Sequence, residues 1–378
     1  MKEKLNIFFS NHYKKILVIP ALILILSLVY LFMFYQKNGD FINKDVSLTG
    51  GTTITFISNV SYSDMESFLS QQFSNYALNS VSDTTGKQTK LIVTVPNEPS
   101  ELTPKLEQFL GYSLDETNSN VEFTGSNLSA DFYNQLIRAI IFAFLLMALV
   151  VFLVFGDSKE IKIYSIILTL IGARLTFPIS SFIGVLSFLI VLVAFFYGIY
   201  LSREKKHLIL SSLCLVAFVF LYFFPIYFLV APLTLLLILI YARFSVPSIA
   251  VIAAAFADLV MTLAVVDLLG MKVSSAGIVA FLMLIGYSVD TDVLLTTRVL
   301  KRTTDSINKS ILGAFKTGIT MTLTSIVAVA VALILVYGFN SILNQIFIIL
   351  IIGLFFDIFN TWFTNACLLK WYAERKLK

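Results

Sequence analysis

Long apolar runs separated by short polar loops make up most of the chain. The first run, residues 16–35, is about 20 residues long, enough to cross a hydrocarbon core about 30 Å thick. After one polar stretch, such runs return and continue almost to the C-terminus. Further spans are predicted at residues 135–155, 161–177, 182–201, 208–224, 226–241, 248–269, 274–299, 317–337 and 345–369. This pattern predicts a polytopic all-α membrane part with about ten transmembrane helices.

The polar stretch, residues 37–133, contains no spanning segment and predicts a small separate domain. Strand-like and helix-like periodicities alternate along it. Strands are predicted at 46–58, 77–82, 90–95 and 120–123, and helices at 63–73 and 100–110. Their order, β-α-β-β-α-β, is that of a ferredoxin-like α+β domain.

Composition and charge placement support a membrane protein with a fixed orientation. Of the 378 residues, 58% are hydrophobic and 13% are charged, whereas soluble domains are about one-quarter charged. Lys and Arg concentrate before the first span, in every second loop and in the tail. Because basic residues stay on the cytoplasmic side, both termini are predicted to be cytoplasmic and residues 37–133 extracytoplasmic, in a cell membrane.

These predictions divide the chain into six parts. They are the N-terminus with the first span (1–36), the extracytoplasmic domain (37–133), the second span (134–155), a region with about four more helices (156–243), the remaining spans (244–370) and the tail (371–378).

No motif of an enzyme or cofactor site is present. The sequence has no phosphate-binding loop, no nucleophile triad and no zinc-ligand spacing, and its two cysteines lie in apolar segments. We therefore predict neither an enzyme nor a cofactor or metal site. The basic loops are typical of membrane topology, so no nucleic-acid partner is predicted, and the bilayer is the expected surrounding.

Ionisable residues within the apolar spans are the candidate functional groups, since charges there are costly and usually functional. Asp258 lies about 16 Å into its span. A carboxylate at that depth is desolvated and able to exchange protons near neutral pH. Arg298 keeps its charge and is a candidate alternating partner. Asp290, Asp292 and Asp357 are further candidates.

Five sequence motifs resemble the SecD/SecF family of the resistance-nodulation-division (RND) superfamily. Residues 45–52 (DVSLTGGT) are similar to the signature that follows the first span in that family. Further similar segments are 244–251 (FSVPSIAV), 286–292 (GYSVDTD), 316–324 (KTGITMTLT) and 353–362 (GLFFDIFNTW). The resemblance covers the first span, the polar domain and the C-terminal third, and it is closest to archaeal proteins of the family.

This resemblance implies an accessory subunit of the Sec protein-export machinery that uses the proton-motive force. The implied partners are a SecD-like subunit, the Sec translocon channel and the translocating polypeptide, and the implied fold is a six-helix RND-like core. The family's intramembrane Asp and Arg fall on Asp258 and Arg298. The motif positions with an expected structural role are Asp45, Gly50, Gly51, Pro247, Gly286, Tyr287, Ser288 and Asn360.

One segment departs from the family pattern. About 85 residues separate Phe155 from Phe244, where the family usually has a short connection, and they would add four helices to the six-helix core.

Two other interpretations remain open at this point. The chain could be an RND-type transporter of small molecules or lipids, or an assembly factor of the translocon that transduces no energy. In the second case Asp258 and Arg298 would form a static pair that fixes helix packing.

Overall fold

The computed structural model describes residues 12–58, 60–73, 76–82, 88–176, 193, 230–301, 306–336 and 341–376. The described helices are α1 (Val18–Asn38), α2 (Val46–Thr49), α3 (Tyr62–Gln72), α4 (Pro99–Leu110), α5 (Ser126–Phe155), α6 (Lys159–Thr176), α7 (Val230–Phe244), α8 (Val246–Leu268), α9 (Ser275–Leu300), α10 (Ile307–Val336), α11 (Ser341–Asn360) and α12 (Ala366–Lys376). A π-helical turn, Thr361–Asn365, joins α11 to α12. The described strands are β1 (Gly51–Ile57), β2 (Ala77–Ser82), β3 (Gln88–Val95) and β4 (Ser119–Thr124).

The polar domain is a four-stranded antiparallel sheet covered by α3 and α4. Its strand order is β2-β3-β1-β4, and the chain order β-α-β-β-α-β agrees with the predicted element order. Helix α3 begins after Ser61, whose hydroxyl accepts a hydrogen bond from the Asp64 N–H at 3.2 Å. Between the sheet and the helices lies an apolar core of Ile54, Phe56, Met65, Phe73, Leu69, Leu78, Leu91, Val93, Val95, Leu102 and Leu106.

The first part of the predicted strand at 46–58 is helical instead. Residues Val46–Thr49 form a short helix, and β1 begins only at Gly51. Gly50 and Gly51 have φ angles of 87° and 144°, in a region that residues with a Cβ rarely adopt. The two glycines therefore turn the chain from the short helix into the sheet, which the alternating pattern of 46–58 did not reveal.

The membrane part contains six described helices that are long and apolar enough to cross a bilayer. They are His12–Asn38, Leu128–Phe155, Val246–Leu268, Ser275–Leu300, Ile307–Val336 and Leu343–Lys376. The protein is therefore a multi-pass membrane protein.

The prediction of ten spans is not confirmed. The predicted spans at 182–201 and 208–224 lie outside the described residues, apart from residue 193. The other two added spans correspond to α6, which carries four charged residues, and to α7, which has 15 residues. At 1.5 Å per residue α7 is about 22 Å long, shorter than the hydrocarbon core. Both helices pack beside the core, where Tyr241 of α7 stacks on Phe152 of α5.

Helix α8 lies at the centre of the membrane part. It packs against α1, α5, α7, α9, α11, the π-helical turn and α12. Its sequence is rich in alanine, and Ala250, Ala254 and Ala257 are buried. Small side chains let neighbouring backbones approach closely, which places the polar residues of α8 in contact with several helices at once.

The sheet domain is joined to the membrane helices through the loop between α8 and α9. The Val273 N–H donates to the Asn43 carbonyl at 2.6 Å, and the Asp45 N–H donates to the Val273 carbonyl at 2.9 Å. The Asn43 N–H also donates to the Asp267 carboxylate at 3.2 Å, near the end of α8. Any movement of the ends of α8 and α9 would therefore act on the chain that leads into β1.

Candidate functional site

Asp258 lies next to the midpoint of α8 and is fully buried. Its Oδ2 accepts a hydrogen bond from the Ser288 hydroxyl of α9 at 2.5 Å. Its Oδ1 accepts one from Nδ2 of Asn360, the last residue of α11, at 2.7 Å. This carboxyl group therefore holds three helices together, and both of its donors are uncharged.

Asp357 of α11 is the second fully buried carboxyl group. Three threonine hydroxyls donate to it: Thr291 of α9 at 2.8 Å, Thr322 of α10 at 3.3 Å and Thr361 of the π-helical turn at 3.3 Å. Asp357 thus connects a fourth helix, α10, to the same region.

Asp292 of α9 is the third fully buried carboxyl group, and its hydrogen bonding is incomplete. Asn365 of the π-helical turn donates to its Oδ1 at 2.8 Å. The other carboxyl oxygen, Oδ2, is buried without a hydrogen-bond partner, and so are the Asn365 side-chain oxygen and the Thr296 hydroxyl. Buried polar atoms in folded proteins nearly always have partners, so the surroundings of Asp292 are the part of the site most able to change its bonding.

A single turn of α9 brings the three carboxyl groups together. Ser288, Thr291 and Asp292 stand at positions i, i+3 and i+4, so they share one face of the helix. The Ser288 hydroxyl donates to Asp258, and the Thr291 hydroxyl donates to Asp357. Asp292 itself carries the third carboxyl group. We call Asp258, Asp292 and Asp357 the carboxylate cluster.

Arg298 is not at the cluster, so the predicted pairing with Asp258 is wrong. Its side chain is exposed, and its Nη1 donates to the Gly313 carbonyl of α10 at 2.7 Å. Arg298 follows Ser288 by ten residues, about 15 Å along α9. Among the described residues, no ion pair involves a cluster carboxylate. A role of Arg298 in ion coupling stays a prediction.

Asp290 is exposed and takes no part in the cluster's hydrogen bonds. Together with Tyr287 it lines a cavity of about 140 Å³, whose inner wall includes Thr291 and Thr322. These two threonines are the donors to Asp357. Asp290 therefore stands at the open side of a small space that leads toward the cluster.

The other motif residues lie in three places. Ser288 and Asn360 are donors to Asp258, and Asp45, Gly50 and Gly51 form the entry to the sheet domain. Pro247 is the second residue of α8, and Ser245 caps this helix by accepting a hydrogen bond from the Ser248 N–H at 3.3 Å.

Close helix packing occurs at some glycines of the spans and not at others. A Cβ on Gly277 would lie 2.7 Å from the Gln345 side chain of α11, whereas a Cβ on Gly286 would meet no heavy atom within 4 Å. A Cβ on Gly353 would lie 2.5 Å from the Leu284 side chain, and one on Gly318 would lie 2.8 Å from the Trp362 ring. The helices α9, α10 and α11 meet closely at these two positions.

Four donors of the site, Thr291, Thr322, Thr361 and Asn365, were not singled out from the sequence. For the last span a signal existed: polar residues recur at 357, 360, 361, 364 and 365, which lie on one helix face. Thr322 had no such signal, because other threonines flank it on α10.

The described part of the chain contains no group of three or more His, Cys, Asp or Glu side chains placed to hold a metal ion. The hydrogen-bond donors of the cluster are hydroxyl and amide groups, which suit a carboxyl group that gains and loses a proton.

Comparisons with known proteins agree with the sequence motifs. Residues 224–375 match the family described as protein export membrane protein SecD/SecF, C-terminal. The protein-export membrane protein SecF of Methanocaldococcus jannaschii is 50% identical over 140 residues, 36% of this chain and 50% of that protein. SecF of Methanolacinia petrolearia is 48% identical over 134 residues, 35% of this chain and 47% of that protein. The chain spans about half the length of the curated relatives it matches.

Comparison with solved structures supports the fold. The crystal structure of SecDF, a translocon-associated membrane protein from Thermus thermophilus, matches with a TM-score of 0.53 at 15% identity. The match covers 97% of this chain and 38% of that chain. The predicted resemblance to the SecD/SecF family is confirmed, and the matched residues contain all three carboxylates of the cluster.

Proposed function

Starting from the SecD/SecF-type membrane region at residues 224–375, we propose that this protein is an accessory subunit of the Sec protein-export machinery. In this proposal it couples proton movement down the proton-motive force to the export of polypeptides. The observation that carries the proposal is the carboxylate cluster, in which uncharged donors from several helices bond three buried carboxyl groups.

The chemistry of the cluster suits proton coupling. An ionised carboxylate only accepts hydrogen bonds, whereas a protonated one also donates. Asp258 now accepts two bonds that join α8 to α9 and α11. When it takes up a proton, it can donate to the Ser288 hydroxyl instead of accepting from it, and its negative charge is lost. In this proposal the loss of a charge from between α8, α9 and α11 changes how these helices pack.

A change in helix packing would reach the sheet domain. Helices α8 and α9 carry Asp258 and Ser288, and the loop that joins them holds Asn43 and Asp45 through Val273. We propose that protonation at the cluster shifts this loop and with it the outer domain, where the emerging polypeptide is handled.

The partners follow from the proteins that this chain resembles. The similar crystal structure is of a SecDF protein, and this chain corresponds to 38% of it. We propose that a SecD-like subunit supplies the complementary part and that both act beside the Sec translocon channel. We also assign residues 37–133 to the extracytoplasmic side and both termini to the cytoplasm, on the distribution of basic residues. The element order and strand order of residues 37–133 support the ferredoxin-like classification.

A second candidate function is that of an assembly factor without energy transduction. It is favoured by the absence of Arg298 from the cluster and by the complete bonding of both oxygens of Asp258 and of Asp357. A fully bonded polar network can fix helix packing without changing its state.

Replacing Asp258 by Asn separates the two functions. The amide can accept from Asn360 and donate to the Ser288 hydroxyl, so it keeps the packing but cannot titrate. We expect Asp258→Asn to slow the export of a secretory precursor by about tenfold or more in cells that contain equal amounts of each variant. The control is Asp157→Asn, at an exposed carboxylate outside the cluster. Export by Asp258→Asn at the wild-type rate would rule out coupling through Asp258 and leave the assembly function.

A further inference from the structure

A second cavity lies at the end of the membrane part that is remote from the sheet domain. It has a volume of about 570 Å³ and is enclosed by the last residues of α5 and α9, the start of α8 and the final turns of α12. The sheet domain is attached at the opposite ends of these helices, near Ser126 of α5 and Val273 before α9. We call this space the far-end cavity. It shares no residue with the carboxylate cluster.

The floor of the far-end cavity is apolar. It is formed by Val154, Phe155, Val299, Leu300 and Ala373. Phe155 and Leu300 belong to an apolar group that also includes Val151 and Val251, so the floor is continuous with the helix core. An apolar floor of this kind suits hydrocarbon better than a small hydrated ion.

The rim of the far-end cavity is mainly cationic. Lys301 follows the end of α9, Lys376 ends α12, and both are exposed. Among the described residues, no ion pair uses either lysine. Asp157 is the one acidic residue of the described lining, so the rim has an excess of positive charge. The N-terminal end of α8, at Pro247, adds a favourable dipole for an anion.

We infer that the far-end cavity binds an anionic phospholipid. Its phosphate would lie between Lys301 and Lys376, and its acyl chains would follow the apolar floor. The volume falls within the range of about 300–1,000 Å³ that is typical of ligand pockets. Basic pockets between transmembrane helices on the cytoplasmic side are suited to anionic headgroups, and the far-end cavity lies where four spanning helices begin or end. The inference does not depend on a role in export.

Native mass spectrometry of the full chain tests this inference. The protein is released from nanodiscs that contain equal amounts of phosphatidylglycerol and phosphatidylcholine, and the lipids that remain bound are identified. We expect the wild type to retain phosphatidylglycerol in preference to phosphatidylcholine. The double variant Lys301→Gln/Lys376→Gln should lose about tenfold or more of this preference, because lysines near the membrane surface attract anionic headgroups.

Two controls separate a site from general charge and folding effects. Lys15→Gln/Lys316→Gln removes the same number of positive charges from exposed positions outside the cavity and should keep the preference. Val154→Trp fills the cavity from a position that is 50% exposed, removes no charge and should weaken retention of phosphatidylglycerol.

Three results would overturn the inference. They are equal retention of the two lipids by the wild type, an unchanged preference in Lys301→Gln/Lys376→Gln, and equal losses in both double variants. In a further arm, excess inorganic phosphate is added. Displacement of phosphatidylglycerol by phosphate alone would assign the cavity to a free anion and reject the lipid.

Discussion

The core of the sheet domain and the carboxylate cluster are both buried, but they are built from opposite kinds of side chain. The core under the sheet consists of apolar residues such as Ile54, Leu69 and Leu106. The cluster consists of carboxyl, hydroxyl and amide groups, among them Asp258 and Asn360. Burial alone therefore does not distinguish a structural core from a functional site in this protein.

The difference reflects the two solvents that surround the regions. In water, burial of apolar area is the main favourable contribution to folding, and the sheet domain follows that rule. In a bilayer the lipid is as apolar as leucine, so apolar contacts give little preference between helix arrangements. Packing of small residues and hydrogen bonds between helices then decide the arrangement, and α8, α9 and α11 show both.

The largest effect on stability is expected in the apolar core. Leu69→Ala should destabilise the sheet domain by about 2–5 kcal/mol, because it leaves a cavity at a fully buried position. Hydrogen exchange of β1 and β3 in the full chain measures this effect. Leu128→Ala, at a position that is 65% exposed, is the control and should change exchange little. Equal exchange in the two variants would show that Leu69 is not part of a close-packed core.

A smaller effect is expected in the cluster. Asp258→Ala leaves the Ser288 hydroxyl and the Asn360 amide without their acceptor. Since hydrogen bonds between membrane helices contribute about 0.6 kcal/mol each on average, the loss should be about 1–2 kcal/mol. Thermal unfolding of the solubilised chain measures it, and Asp258→Asn should be closer to the wild type. If the Ala and Asn variants unfolded at the same temperature, the hydrogen bonds of Asp258 would not contribute to helix packing.

The smallest effect concerns an exposed carboxylate of the sheet domain. Hydrogen bonds from the Thr117 hydroxyl and from its backbone N–H hold the pKa of Asp115 below its ordinary value. The stabilisation they give is present above a pH of about 4 and is lost as the pH falls through the pKa of the folded protein. Thr117→Val should move the pKa of Asp115 back toward the ordinary value in an NMR titration. An unchanged pKa would mean that the Thr117 hydroxyl does not bond Asp115 in solution.

Sequence periodicity predicted the local structure well where the pattern of apolar residues alone determines the type of element. The alternating and helical patterns of residues 60–124 gave the element order of the sheet domain. The apolar runs gave six of the spans that the structure describes. The burial of Asp258 was expected from its depth within its span.

Contacts between helices were predicted less well, because they depend on how each helix is rotated. Arg298 and Asp290 lie on the same span as Asp292, yet only Asp292 faces the core. The π-helical turn lies between Asp357 and Asn365 and changes the direction in which the following side chains point. No periodic pattern in the sequence predicted this turn. The two-glycine turn at Gly50 and Gly51 likewise has a conformation that depends on φ angles rather than on hydrophobicity.

The central claim is that Asp258 exchanges a proton within the cluster. Difference infrared spectroscopy of the full chain in liposomes, recorded across a pH change, detects protonated carboxyl groups by their C=O stretching band. We expect a band that titrates in the wild type and in Asp157→Asn. In Asp258→Asn this band should be lost, or it should titrate at a different pH. A titrating band that is identical in all three proteins would contradict the claim.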